Sequence, residues 1–99
     1  MQPLPYCVYV LFSEKDRQLY TGYTSNILNR LEAHRTGKNA STKYRLPLNL
    51  VFCEFYALKA DAQRREMYLK TTAGKRAIKI MLKNTLEKMD YRHRLETEA

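Results

Sequence analysis

Apolar residues run without a break from Tyr6 to Phe12, and the run is rich in aromatic and β-branched side chains. That composition predicts a strand covered on both faces. Polar residues from Ser13 to Gln18 interrupt it, and Leu19 to Tyr23 returns as a second, shorter strand. A hairpin is the economical connection, although the turn holds no glycine. Thr24 or Ser25 is placed to cap a helix, in which Ile27, Leu31 and His34 recur at helical spacing up to an end near Gly37. Arg30 stands three residues after Ile27 and four before His34, so both polar side chains share the inward face of Leu31.

From Lys38 to Pro47 the chain is polar and basic with no sustained period, which predicts a long exposed loop. Leu50 to Tyr56 is apolar apart from Glu54 and reads as strand three. Ala60 to about Thr72 is rich in helix formers and stops before Gly74, a suitable C-terminal cap. A third helix is predicted from about Lys75 to Met89, with Ile78, Met81, Leu82 and Leu86 as the stripe that packs on the sheet. The element order is β-β-α-β-α-α, an α+β class. Residues 1–91 form one domain, and the charged residues 92–99 are expected to be a frayed tail.

At 99 residues there is room for one core and little apolar surface to spare for a deep greasy cavity. Lysine and arginine number 18 against 10 acidic residues, a formal charge of +8, and such a field favours polyanionic partners. The opening Met1-Gln2-Pro3-Leu4-Pro5 carries no basic segment followed by an apolar run, so no leader or membrane span is visible and a soluble, cytoplasmic protein is expected. Cys7 and Cys53 sit in apolar runs with no further cysteine or histidine at metal-ligand spacing, which argues against zinc and for reduced, buried thiols.

Candidate chemistry lies in Tyr9, Tyr20-Thr21-Gly22, Arg30, His34 and Glu66. Each has an ordinary structural explanation. Tyr9 and Tyr20 could be a cross-strand aromatic pair, Arg30 a surface charge, His34 a core or capping histidine, and Glu66 the partner of Lys70 four residues on. The order and spacing of the set, however, resemble the GIY-YIG nuclease superfamily over roughly residues 5 to 75. Cys7-Val8-Tyr9 stands where that family has Gly-Ile-Tyr, and Tyr20-Thr21-Gly22 where it has Tyr-Ile-Gly. The stretch from Tyr20 to His34, and Ser41-Thr42-Lys43 after it, is similar to the small stand-alone bacterial members, which are related to the N-terminal domain of the excision-repair endonuclease. Two departures stand out. Cys-Val replaces the leading Gly-Ile, which spares the tyrosine, and the asparagine that many members carry about a dozen positions after the glutamate is matched only by the more distant Asn84.

The resemblance implies a three-stranded antiparallel sheet flanked by about three helices, with the active site on one face. It also implies catalytic roles for Tyr9, Tyr20, Arg30, His34 and Glu66. Hydrolysing a phosphodiester needs an activated water, neutralisation of charge on the phosphate oxygens, and protonation or metal capture of the leaving oxygen. Glu66 would hold one divalent cation, Mg2+ or Mn2+, and a single carboxylate suits a magnesium ion that keeps most of its waters. Arg30 would grip the phosphate. One of the two tyrosines, acidified by Arg30 and the metal, would take a proton from water, and His34 would support it.

Lys38, Ser41, Thr42, Lys43 and Arg45 are candidates for contacts to the nucleic-acid backbone. Since no recognition helix or zinc finger is visible, reading of sequence would be weak or supplied by a protein partner. The leading expectation is a metal-dependent endonuclease acting on DNA, in a structured or damaged form such as repair presents. The alternatives are a catalytically inactive nucleic-acid-binding module of the same fold and a small protein-binding adaptor.

Overall fold

The computed structural model describes residues 2–91. Along the chain run β1 (Tyr6–Ser13), β2 (Leu19–Thr24), α1 (Ile27–Arg35), β3 (Leu48–Tyr56), α2 (Lys59–Leu69), α3 (Thr72–Met81) and α4 (Lys83–Lys88). The strands form one antiparallel sheet in the order β2-β1-β3. The longest apolar run in the sequence thus takes the central position, where every residue from Cys7 to Ser13 is buried.

Side chains alternate across a strand, so β1 divides its apolar residues between two layers. Val8 and Val10 meet Ala62 and Leu69 of α2 and Ile78 of α3 on one face. Cys7, Tyr9 and Leu11 meet Ile27 and Leu31 of α1, with Tyr20 and Leu48, on the other. Each large apolar side chain fully buried in this way contributes about 1.5–3 kcal/mol. The β1–β3 register slips once, between Val10 and Leu11, whose partners are Phe52 and Leu50.

Several local predictions are corrected. The glycine-free hairpin closes because Arg17 takes the left-handed conformation (φ 56°) in glycine's place, with its N–H donating to the Ser13 carbonyl at 2.7 Å. Helix α1 is capped by Asn26 rather than by Thr24 or Ser25. The Thr24 hydroxyl accepts from the Asn26 N–H in a tight turn, which leaves the Asn26 side chain to accept from the Asn29 N–H.

Gly74 does not terminate α2. It is buried in the first turn of α3, where its N–H donates to the Thr71 hydroxyl and a Cβ would lie 2.0 Å from the Tyr68 carbonyl oxygen. The glycine therefore permits close approach of two helices and is not a stop signal. The single helix expected from Lys75 to Met89 divides at Leu82 (φ −105°, ψ 24°) into α3 and α4. Ile78 and Leu86 stay buried across this break, whereas Met81 turns out and is 50% exposed. Cys7 is buried, and burial pushes its thiol up to about 11, but Cys53 lies exposed on the edge strand β3. The tail predicted over 92–99 lies outside the described residues. Among the described residues no helix is long and apolar enough to cross a membrane.

Candidate active site

Tyr9 sits at the middle of β1, opposite Gly22 of β2 and Cys53 of β3. Its ring lies directly over Gly22, where a Cβ would be 2.4 Å from both Cζ and the hydroxyl oxygen. The glycine of Tyr20-Thr21-Gly22 is therefore a requirement of space: it lets the phenol cross β2 and reach α1. Gly22, the third residue of the Tyr-x-Gly motif, thus belongs to the site for a reason of space and not of chemistry. The signal available in the sequence was a lone glycine inside a strand, which marks close approach of another group.

The last turn of α1 delivers His34, only 2% exposed, to the end of that phenol. The Tyr9 hydroxyl is 2.8 Å from His34 Nε2, and His34 Nδ1 is 2.7 Å from the Thr42 hydroxyl. The Tyr20 ring stands edge-on to His34, its centroid 5.5 Å away, and is tilted against Tyr9 at 6.5 Å. Tyr9 has no exposed surface while Tyr20 is half-buried, so Tyr20 is the phenol that solvent reaches.

Electrostatics tie in the remaining residues. Burial pushes the Tyr9 phenol up to about 12, reinforced by Tyr20 and by the Glu66 carboxylate, while the charge and hydrogen bond of Arg30 pull it down. Arg30 from α1 and Glu66 from α2 therefore both bear on this hydroxyl. The sign expected for Arg30 holds, but burial outweighs it, so in the protein alone the phenol is not acidified. His34 is held below its usual 6.5 by burial and by the Arg30 charge, and is neutral at neutral pH. Because it is enclosed, the His34 ring meets Tyr9 and Thr42 and not solvent.

Glu66 is part-exposed and paired with Lys70, Oε2 to Nζ at 3.1 Å. The ordinary structural explanation for this glutamate is thus present alongside its place in the cluster. Among the described residues no three His, Cys, Asp or Glu side chains converge. A divalent cation here would rest on the Glu66 carboxylate and its own waters, a donor set that fits magnesium or manganese and not zinc. Asn84 is exposed on α4.

The loop after α1 divides. Lys38, Ser41 and Lys43 are exposed, with Lys43 Nζ 4.9 Å from the Tyr44 ring centroid. Thr42 and Arg45, expected to face solvent with them, do not. Backbone bonds from Thr42 and Lys43 to the Asn39 carbonyl and from Arg45 to the Thr42 carbonyl wind the segment into tight turns. These bury Thr42 completely against His34 and bring Arg45 onto Asp16 at 2.6 Å. The exposed basic surface is correspondingly smaller than the sequence predicts.

Residues 5–79 match the family described as the GIY-YIG catalytic domain. A UPF0213 protein of Staphylococcus haemolyticus is 43% identical over 68 residues, covering 68% of this chain and 83% of that protein. A UPF0213 protein of Clostridium perfringens is 36% identical over 85% of this chain and 90% of its own length. One of Bacillus licheniformis is 39% identical over 84% and 86%. No solved structure matches. With the two tyrosines on one small antiparallel sheet, Arg30 and His34 reaching them from α1 and Glu66 from α2, and with most of its length matched, the chain belongs to the GIY-YIG nuclease family, alongside the small bacterial UPF0213 proteins.

Proposed function

We propose that this protein is a metal-dependent endonuclease that hydrolyses phosphodiester bonds in DNA. The observation that carries the reading is the convergence on one buried phenol, Tyr9, of a histidine at 2.8 Å and a guanidinium, both from α1, and of a carboxylate from α2. One hydrogen-bond partner satisfies a buried phenol in a core aromatic pair, and a guanidinium and a carboxylate beside it exceed that need.

In this mechanism Arg30 grips the scissile phosphate and offsets the charge that grows on its oxygens. Tyr20, the phenol open to solvent, faces the attacking water and, having released its own proton to solvent, takes the water's proton as a phenolate, while Tyr9 and His34 stand behind it and fix the geometry. Glu66 would hold a magnesium or manganese ion, which supplies Lewis-acid stabilisation of the leaving oxygen. Lys38, Ser41 and Lys43 contact flanking phosphates without reading bases, so a preference for sequence or DNA structure comes from a protein partner or from DNA shape. The setting is cytoplasmic, on structured or damaged DNA.

The second reading, a nucleic-acid-binding module without turnover, is favoured by the complete burial of Tyr9 and by the Lys70 pair on Glu66. One panel separates them: purified protein with plasmid, branched DNA and RNA, with magnesium, with manganese and with excess chelator. The nuclease cuts DNA only with metal. Binding without cutting under every condition establishes the module instead, and cutting undiminished by chelator removes the metal.

A further inference from the structure

The geometry points to Thr42 as a positioning residue: its hydroxyl holds His34 as the Nδ1–H tautomer and so commits the Tyr9 proton to His34 Nε2. In sequence Thr42 looks like one more polar residue of a basic loop. In the fold it is fully buried, its hydroxyl 2.7 Å from His34 Nδ1, while the opposite ring nitrogen lies 2.8 Å from the Tyr9 hydroxyl.

The direction of the two bonds follows from the donors present. The guanidinium of Arg30, whose charge favours the ionised Tyr9 phenol, carries only N–H groups and no acceptor. The phenolic hydrogen therefore has to go elsewhere, and His34 Nε2 is the acceptor at hydrogen-bond distance. A neutral imidazole whose Nε2 accepts carries its hydrogen on Nδ1, and that hydrogen needs an acceptor in an enclosed site, where an orphaned donor costs about 1–3 kcal/mol. The Thr42 oxygen is that acceptor. Without it the ring gains by moving its hydrogen to Nε2, and two donors, Arg30 and His34, then compete for the Tyr9 oxygen while the phenolic hydrogen loses its partner. Thr42 thus keeps the lone pairs of Tyr9 turned toward Arg30 and the phosphate site.

The turn that buries Thr42 also carries Ser41 and Lys43 outward. A phosphate held by those two neighbours bears on the residue that orients His34, which joins the basic loop to the catalytic cluster. The kinetic part of this inference rests on the nuclease reading; the tautomer does not.

The test is imidazole 15N NMR of the full-length protein at neutral pH, with the His34 resonances identified by their loss in His34→Gln. The parent should show a protonated Nδ1 and a bare Nε2. Thr42→Val, nearly isosteric but without the hydroxyl, should shift the ring toward the Nε2–H form and lower kcat about tenfold, the worth of one hydrogen bond, with KM within about twofold. Thr42→Ser should restore both. An Nε2–H ring in the parent overturns the inference even if Thr42→Val does not fold. So does a folded Thr42→Val protein with the parental tautomer and kcat. A parent that never cuts removes the nuclease reading and leaves the tautomer measurement decisive on its own.

Discussion

Gly22→Ala adds a single methyl group and places it where the account is most exposed. At 2.4 Å from Tyr9 Cζ and hydroxyl, the new Cβ needs about 1 Å more to reach ordinary contact at 3.4 Å. The Tyr9 ring is fully buried, and a retreat by that much draws its hydroxyl away from His34 Nε2, now at 2.8 Å. The lost bond costs about 0.5–1.5 kcal/mol. Overpacking costs about 1–3 kcal/mol, and alanine returns about 0.5–1 kcal/mol because the unfolded chain then has less conformational entropy to lose.

The midpoints of these ranges leave a net loss of about 2 kcal/mol, which at about 4–8 °C per kcal/mol for a domain of this size lowers Tm by roughly 8–16 °C. Cleavage should suffer far more, because about 1 Å of misplacement in a reacting group costs on the order of 100-fold. Thermal melts and single-turnover cleavage, the latter at a temperature where both proteins are folded, measure the two effects separately. A Gly22→Ala protein with the parental melt and a rate within about threefold of the parent would show that the ring has room to move and that its placement is not critical.

Phenylalanine at Tyr9 strands His34 Nε2 and should cost about 1–3 kcal/mol of stability, whereas Tyr20→Phe should be nearly neutral in a melt; both should slow cleavage, and parental rates in both variants would reduce the pair to an aromatic contact. The depressed His34 gives a signed pH dependence. With its folded pKa below the unfolded 6.5, the unfolded chain binds the proton first, so this histidine's contribution to stability is intact above pH 6.5 and declines as pH falls through the folded value. Urea midpoints at pH 7.5 and pH 5 should therefore differ more for the parent than for His34→Gln, and equal differences would place the acid sensitivity elsewhere.

Much of the fold was legible because periodicity reports burial. The unbroken run from Tyr6 to Phe12 is the central strand, and the recurrence of Ile27, Leu31 and His34 is the helix face that packs on it. The errors arose where a residue type serves two physical ends. Gly74 has the form of a stop signal, yet its missing Cβ serves helix contact, and Arg17 adopts a left-handed turn conformation with no glycine to announce it. At the site, Tyr9, Tyr20, Arg30, His34 and Glu66 stand out only together, through the order and spacing in which they resemble the GIY-YIG pattern. Thr42 and Gly22 are visible too, but not what they do. The role of one depends on a loop folding inward and that of the other on a ring crossing a neighbouring strand, and both are tertiary facts without a local sequence period.

Glu66 is where the catalytic and structural explanations part most cleanly, because its carboxylate both bears on Tyr9 and pairs with Lys70. Glu66→Gln keeps size and helix preference and removes the charge. As the anchor of a cation, its loss should abolish cleavage at ordinary magnesium concentration while DNA binding at matched salt is unchanged or slightly tighter, one negative charge having left a basic surface. As the partner of Lys70 alone, it is worth about 0.5 kcal/mol and cleavage should hardly change. The decisive measurement is therefore the cleavage rate and DNA affinity of Glu66→Gln beside the parent, with a melt to establish folding. Binding without cutting is the predicted result, and a folded variant that cuts at the parental rate would contradict a metal-assisted reaction at this site.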